Sequence, residues 1–385
     1  MKPSLFAAGI LALLFLSGCW DQRILKDRNL IICIGRDLAE EGKIQNSFAL
    51  LTPAIKQTSS PSSSQQPGSG AVSGKQKNVI SAVGDTINQT AMMMDRKTSE
   101  TVDDSKNQAV LIGEKLARLD LYSTLDLLYR DPMGELKAKV AVVKGEAKQL
   151  MEHIAARDPL VGSYLVELLE SQVERRIIPE ATLQSIYPSL LEHGEDLIIP
   201  YLGLVDGEPA VIGSVLTHDK KMTGTLTPDE SLLSMMFSKF DLKGARINQR
   251  IGGDEKLRTL GYISFLVGNV KRKMDVKVES SSSQSIIVDL HAKLKVTVVE
   301  YPHNQLNTEA KFNELNRKLS NQLTKDAEKV LHKLQEARCD FYGVGRQIMA
   351  FHPETWKKLD WDKDFSRISF RPRVEVEIKG TGLIH

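Results

Sequence analysis

Three cysteines in 385 residues are too few for a disulfide scaffold. The eight histidines never recur at i, i+4, and no Cys-x-x-Cys occurs, so the common metal-holding spacings are missing. There is no Gly-x-Ser-x-Gly elbow, no Ser-x-x-Lys and no P-loop. Gly343-Val344-Gly345 begins like a dinucleotide loop, but it follows a helical pattern and has Ile348 where the last glycine belongs, so it reads as a chain reversal. Asp362-Lys363-Asp364 reads as a solvated turn, and Lys271-Arg272-Lys273 with Lys277 as a solvated strand edge ahead of a contact with lipid head groups. No catalytic residue, cofactor or metal is expected, and the chain is not expected to be an enzyme. Charge of one sign is scarce too. With 51 Lys+Arg against 49 Asp+Glu, the net charge of +2 gives no field for nucleic acid.

Long apolar runs are absent after the first nineteen residues, so nothing further along reaches the ~18 needed to span a bilayer. Those nineteen residues read MKPSLFAAGILALLFLSGC. One lysine precedes an apolar stretch, Leu5 to Leu16, which is too short for a spanning helix but suited to a signal-peptide core. Leu16-Ser17-Gly18-Cys19 resembles the bacterial lipobox, in which a diacylglyceryl group is joined to the cysteine sulfur before cleavage. Cys19 is therefore the expected lipidation site, and membrane lipid the first expected partner. Two or more acyl chains make such an anchor stable. Cys33 and Cys339 remain, and the sequence leaves open whether they pair.

The expected class is α+β (mixed α/β), as three successive mixed-sheet domains after a signal peptide at 1–18. The first, 19–195, holds strands at 30–35 and 44–51 and a Ser, Gln, Gly and Pro-rich stretch, 52–78, expected to be a disordered loop. Beyond it the pattern predicts a helix over 79–94, a strand over 109–113, a helix over 116–129, a strand over 138–143 and a helix over 160–176. A small middle domain, 196–255, carries a hairpin turning at Asp206-Gly207 and a helix capped by Thr227 or Asp229.

The third domain, 256–385, is the most legible. Val288, Leu290, Ala292, Leu294, Val296 and Val298 alternate with polar residues, which predicts a long strand with one buried face. A charged helix of about thirty residues follows. Its apolar face is Phe312, Leu315, Leu319, Leu323, Ala327, Val330, Leu334 and Ala337. It should pack on that sheet, with a last strand through Val374, Val376 and Ile378.

Gly18-Cys19-Trp20-Asp21, Asp340-Phe341-Tyr342-Gly343-Val344-Gly345, Pro353-Glu354-Thr355-Trp356, Trp361, Phe365 and Gly380-Thr381-Gly382 occur in that order. In this the chain resembles the Ger(x)C family, the lipoprotein C subunits of spore germinant receptors. The resemblance runs over essentially the whole mature chain. It implies a three-domain mixed α/β protein on the outer face of the spore inner membrane, held there through Cys19. It also implies two integral membrane subunits, A and B type, as partners in nutrient sensing for germination. The reading from another class is an extracytoplasmic solute-binding lipoprotein, which needs a deep cleft between two similar lobes. Cys19→Ala should abolish incorporation of a clickable fatty acid and leave an unprocessed or released protein. Label persisting in the variant would overturn the lipobox assignment.

Overall fold

The computed structural model describes residues 28–51, 79–98, 100–132, 134–252, 258–279, 285–302 and 308–381. The leader, Cys19 and the stretch 52–78 lie outside the described residues, as does Gly382. The described strands form two mixed sheets, and helices cover them.

The first sheet has the order β3-β2-β1-β5-β6-β7-β8-β9, with β4 beside β1. Its strands are β1 (Arg28–Leu38), β2 (Ile44–Leu51), β3 (Val79–Gly84), β4 (Thr101–Asp103), β5 (Ala109–Gly113), β6 (Lys139–Val143), β7 (Ile198–Val205), β8 (Glu208–His218) and β9 (Lys221–Leu226). The central strands β1, β5, β6 and β7 run parallel, and antiparallel strands extend the sheet on both sides. Every residue of β5 is buried, as expected where helices cover both faces. One face packs under α1 (Ile87–Asp95), α2 (Leu121–Arg130) and, further along, Leu183–Leu191. The other packs under α3 (Ala147–Ala155) and α4 (Val161–Glu174); Leu183–Leu191 is α5.

Three expectations change here. Residues 196–255 build no sheet of their own: β7 to β9 complete the first sheet, and α6 (Pro228–Met235) and β10 (Arg246–Arg250) join the second. The cause is β6, whose residues Val142 and Val143 pair directly with Tyr201 and Leu202. The helix expected over 79–94 begins as the strand β3, because Val79–Gly84 pairs with β2. Thr86 then caps α1 by accepting the Gln89 N–H at 3.1 Å. The helix expected over 116–129 is broken at Asp120, whose carboxylate caps α2 by accepting from Tyr122 and Ser123. The Asp206-Gly207 hairpin holds, with positive φ at both residues, and Thr227 caps α6 in a capping box with Glu230.

The second sheet has the order β10-β11-β12-β13, with β11 at Tyr262–Glu279, β12 at Ser285–Glu300 and β13 at Ser369–Gly380. The long helix, α7 (Glu309–Glu336), lies on it as expected. Leu315, Leu319, Leu323, Ala327, Val330 and Leu334 share one apolar cluster with the inward residues of β12 and β13. Lys318, Lys325, Glu328 and Lys329 are exposed.

A neighbouring stripe of α7 does a second job. Asn316, Ser320 and Thr324 accept the backbone N–H groups of Ile378, Val376 and Val374 at 2.9, 2.9 and 3.0 Å. These are the outward donors of the edge strand β13. Eight residues of helix rise about 12 Å and four of strand about 13 Å, so the two repeats stay in step. The next outward position is Pro372, which has no N–H to satisfy.

Leu319→Ala should cost about 2–5 kcal/mol as a core cavity. Ser320→Ala should cost about 1–3 kcal/mol by orphaning the Val376 N–H, and Lys325→Ala under ~0.5 kcal/mol. Denaturant unfolding of the three variants checks this, and a Lys325→Ala loss matching Leu319→Ala would reverse the face assignment.

Candidate functional site

The motif Asp340–Gly345 lies where the two sheets meet. The chain leaves α7 through Arg338, whose φ of 54° makes the reversal, rather than through the glycines. Gly343, with φ 67°, instead takes the N-cap position of α8 (Val344–Phe351). Asp340 is buried, and its carboxylate accepts the N–H groups of Val344 and Gly345 at 2.9 and 2.8 Å. Its own N–H donates to Asp196 Oδ2 at 2.9 Å, and its carbonyl accepts the Asp196 N–H at 2.9 Å. Asp196 belongs to the segment leading into β7. One residue of the motif thus fixes both the start of α8 and the entry to the first sheet.

Contacts around Asp340 tighten the same junction. A Cβ on Gly345 would fall 2.7 Å from the Gly194 Cα and 2.8 Å from the Trp361 ring. The Arg346 N–H donates to the Gly194 carbonyl at 3.0 Å, and its guanidinium meets Glu195 at 2.5 Å. The Tyr342 hydroxyl donates to the Ser234 carbonyl at 2.9 Å, while Phe341 stacks on Phe240 with centroids 6.1 Å apart. Trp356 and Trp361, both half-buried, touch each other at 5.3 Å, and Trp361 meets Phe365 at 5.6 Å. The tryptophans pack against the apolar core of the second sheet.

Burial pushes the Asp340 carboxyl up to about 8, against the pull of its two backbone donors. His218, at the end of β8, faces Asp196 at 3.3 Å through Nδ1 and Asp362 at 3.4 Å through Nε2. The contact with Asp196 holds the imidazole above its ordinary value. Cys339 adds a thiol, but it is fully buried, its S–H points to the Leu197 carbonyl at 3.6 Å, and burial pushes it well up. Such a thiol is packing, not a nucleophile. Cys33 is likewise buried, and neither cysteine is in a disulfide.

The two ends of the parallel strands in the first sheet are further places to look for a ligand. The carboxyl ends of parallel strands are where open α/β sheets bind small molecules. Here Asp37 accepts the N–H groups of Ala147 and Lys148 at 2.7 and 2.9 Å, so the N-terminus of α3 already holds the chain's own carboxylate. At the opposite strand ends lies a cleft of about 810 Å³, lined by Lys106, Asn107, Lys137, Lys139, Glu170 and Glu180 among others. Lys139 is paired there with Glu180 at 2.8 Å and Glu170 at 3.2 Å. Among the described residues no group of three or more His, Cys, Asp or Glu is placed to hold a metal.

A profile described as the spore germination protein N-terminal domain matches residues 21–204, and one described as spore germination B3/GerAC-like, C-terminal, matches 212–382. The chain belongs to the spore germination GerAC-like family. Similar relatives within it include spore germination protein GerQC of Bacillus cereus, 20% identical with 96% of each chain covered. Spore germination protein A3 of Bacillus subtilis (strain 168) is 24% identical over 96% of this chain and 95% of its own. Spore germination protein KC of the same strain is 23% identical over 97% and 94%. A crystal structure of the GerBC protein shares the fold, with TM-score 0.57 and 17% identity over 90% of this chain and 96% of that one. The two GerAC-like profiles meet at 204–212, inside the β7–β8 hairpin, so their border crosses the first sheet.

The signal for the Asp340 junction was half visible. The Asp-Phe-x-Gly-x-Gly string stands out, but its partners Asp196 and His218 come from over a hundred residues upstream. Asp340→Asn should cost about 1–3 kcal/mol at pH 5, because its amide turns a donor toward one backbone N–H. A carboxyl raised on folding stabilises the fold at low pH, and that stability is lost as pH rises from the ordinary carboxylate range to about 8. His218, also raised, adds a slope of the same sign. Wild-type stability should therefore fall from pH 5 to pH 8 more steeply than that of Asp340→Asn, as urea unfolding at both values would show.

Proposed function

We propose that this chain is the lipid-anchored C-type subunit of a nutrient germinant receptor, held through Cys19 on the outer face of the spore inner membrane. It assembles there with two integral membrane subunits, of A and B type, in the response that starts germination. The observation that carries this reading is the family match from residue 21 to 382 directly behind a lipobox. Among the described residues no helix is long and apolar enough to cross a membrane, so an acyl anchor is the means of attachment this reading supplies.

The subunit acts by binding and positioning rather than by catalysis. Its titratable cluster supports that view: Asp340 and Asp196 spend their oxygens on backbone N–H groups and His218, and the one thiol is sealed. The alternative, a lipoprotein that captures a solute by itself, draws on the 810 Å³ cleft. That cleft sits beside the first sheet rather than between two similar lobes, and the two sheets differ in size and order. Affinity purification of the tagged chain from spore inner membrane should bring down two integral membrane proteins. Isolation of the chain alone, together with tight nutrient binding by the purified protein, would favour the alternative.

A further inference from the structure

The second sheet packs one face under α7, and strand register identifies what stands on the other. Lys271 lies directly opposite Lys293, and the next rung aligns Lys273, His291 and Arg373 across β11, β12 and β13. Like charges directly opposite each other destabilise a sheet, so folding alone disfavours two adjacent basic rungs. The edge strand offsets part of this charge. Glu375 meets Arg373 at 2.7 Å and His291 at 3.3 Å, and Glu377 meets Lys293 at 3.7 Å. Lys271, Lys273 and Lys295 are exposed and have no ion-pair partner among the described residues. Even the paired His291 and Lys293 keep 41% and 42% of their side-chain surface exposed, so no described element covers these two rungs.

The geometry points to this open face as a docking surface for an anionic phospholipid bilayer. Charge complementarity makes the first argument, and what the face lacks makes the second. Its two basic rungs carry no aromatic or aliphatic side chain, and the exposed Val299 and Tyr262 stand toward one end of the strands. Protein interfaces draw their energy from a buried apolar or aromatic centre, which these rungs do not offer. Attraction to an anionic leaflet needs only lysines near the surface. The three unpaired residues are lysines, compact point charges suited to a field of mobile headgroups rather than to one fixed carboxylate. This inference rests on the membrane-anchored reading. The nine steps from Cys19 to Arg28 span at most about 30 Å, so an acyl chain on Cys19 keeps the start of β1 within that distance of the headgroups.

A chain beginning at residue 20 retains every described element and has no acyl group, so the face can be tested apart from the anchor. It should sediment with phosphatidylglycerol-rich vesicles at low salt, release at high salt, and ignore pure phosphatidylcholine vesicles. Each lysine removed should weaken binding about fivefold, so Lys271→Gln/Lys273→Gln/Lys295→Gln should lose on the order of a hundredfold without a lower melting temperature. Lys318→Gln/Lys325→Gln/Lys358→Gln, with the same change in charge elsewhere, should bind as the parent does. Equal losses in the two triple variants, or no binding to phosphatidylglycerol vesicles, would overturn the proposal, and the second result would redirect the face to an acidic protein. Fatty-acid labelling of Cys19 in the full chain is read separately. Normal labelling without vesicle binding would reject the face and leave the anchor standing.

Discussion

The buried Asp340 carboxyl group is the point where the two halves of this protein become one structure. It orients α8 through two N–H groups, and through Asp196 it sets where the chain enters β7. An acceptor placed so deep is costly unless its partners are in register. Gly345, Gly194 and Trp361 therefore have to pack as closely as they do, and the aromatic contacts around Tyr342 and Phe341 follow from that closeness. If that carboxyl group shifted, α8, the tryptophan pair and the approach to the first sheet would all have to shift with it.

The reading of the sequence succeeded where a segment's own period determined its fate. The apolar face of α7 and the alternation of β12 needed no knowledge of partners, because each buries a face at its own repeat. It failed where a distant segment decided. Val79–Gly84 became a strand because β2, on the far side of residues 52–78, pairs with it. Likewise β7 to β9 were assigned to the first sheet by β6, some fifty residues earlier. Arg272 stood among lysines in the sequence and looked solvated. In the fold it turns inward to donate to the carbonyls of Met236 and Phe240 at 2.9 and 2.6 Å. The lysines on either side point the other way, as alternation on a strand requires.

The site was legible only in its motif residues. The glycines of Asp340–Gly345 announced a reversal, yet Arg338 makes it and Gly343 starts the next helix. The partners that give the motif its meaning, Asp196 and His218, carry no local mark, since a lone Asp before a strand and a lone His after one are ordinary surface residues. Only the tertiary contact between β8, the segment before β7 and the end of α7 distinguishes them.

The helical stripe on β13 has a consequence for what this sheet can join. With Asn316, Ser320 and Thr324 occupying its outward donors and Pro372 offering none, β13 presents no template to a further strand. On the opposite side, β10 and the residues just before it pair with β11 only as far as Val267. Any polypeptide that joined the second sheet by strand addition, whether a partner protein or a misfolded copy, would have to use the outer edge of the short β10 or the stretch of β11 after Val267. Along β11 it would have to align its backbone beside Lys271 and Lys273, where lysine is a common guard against such pairing.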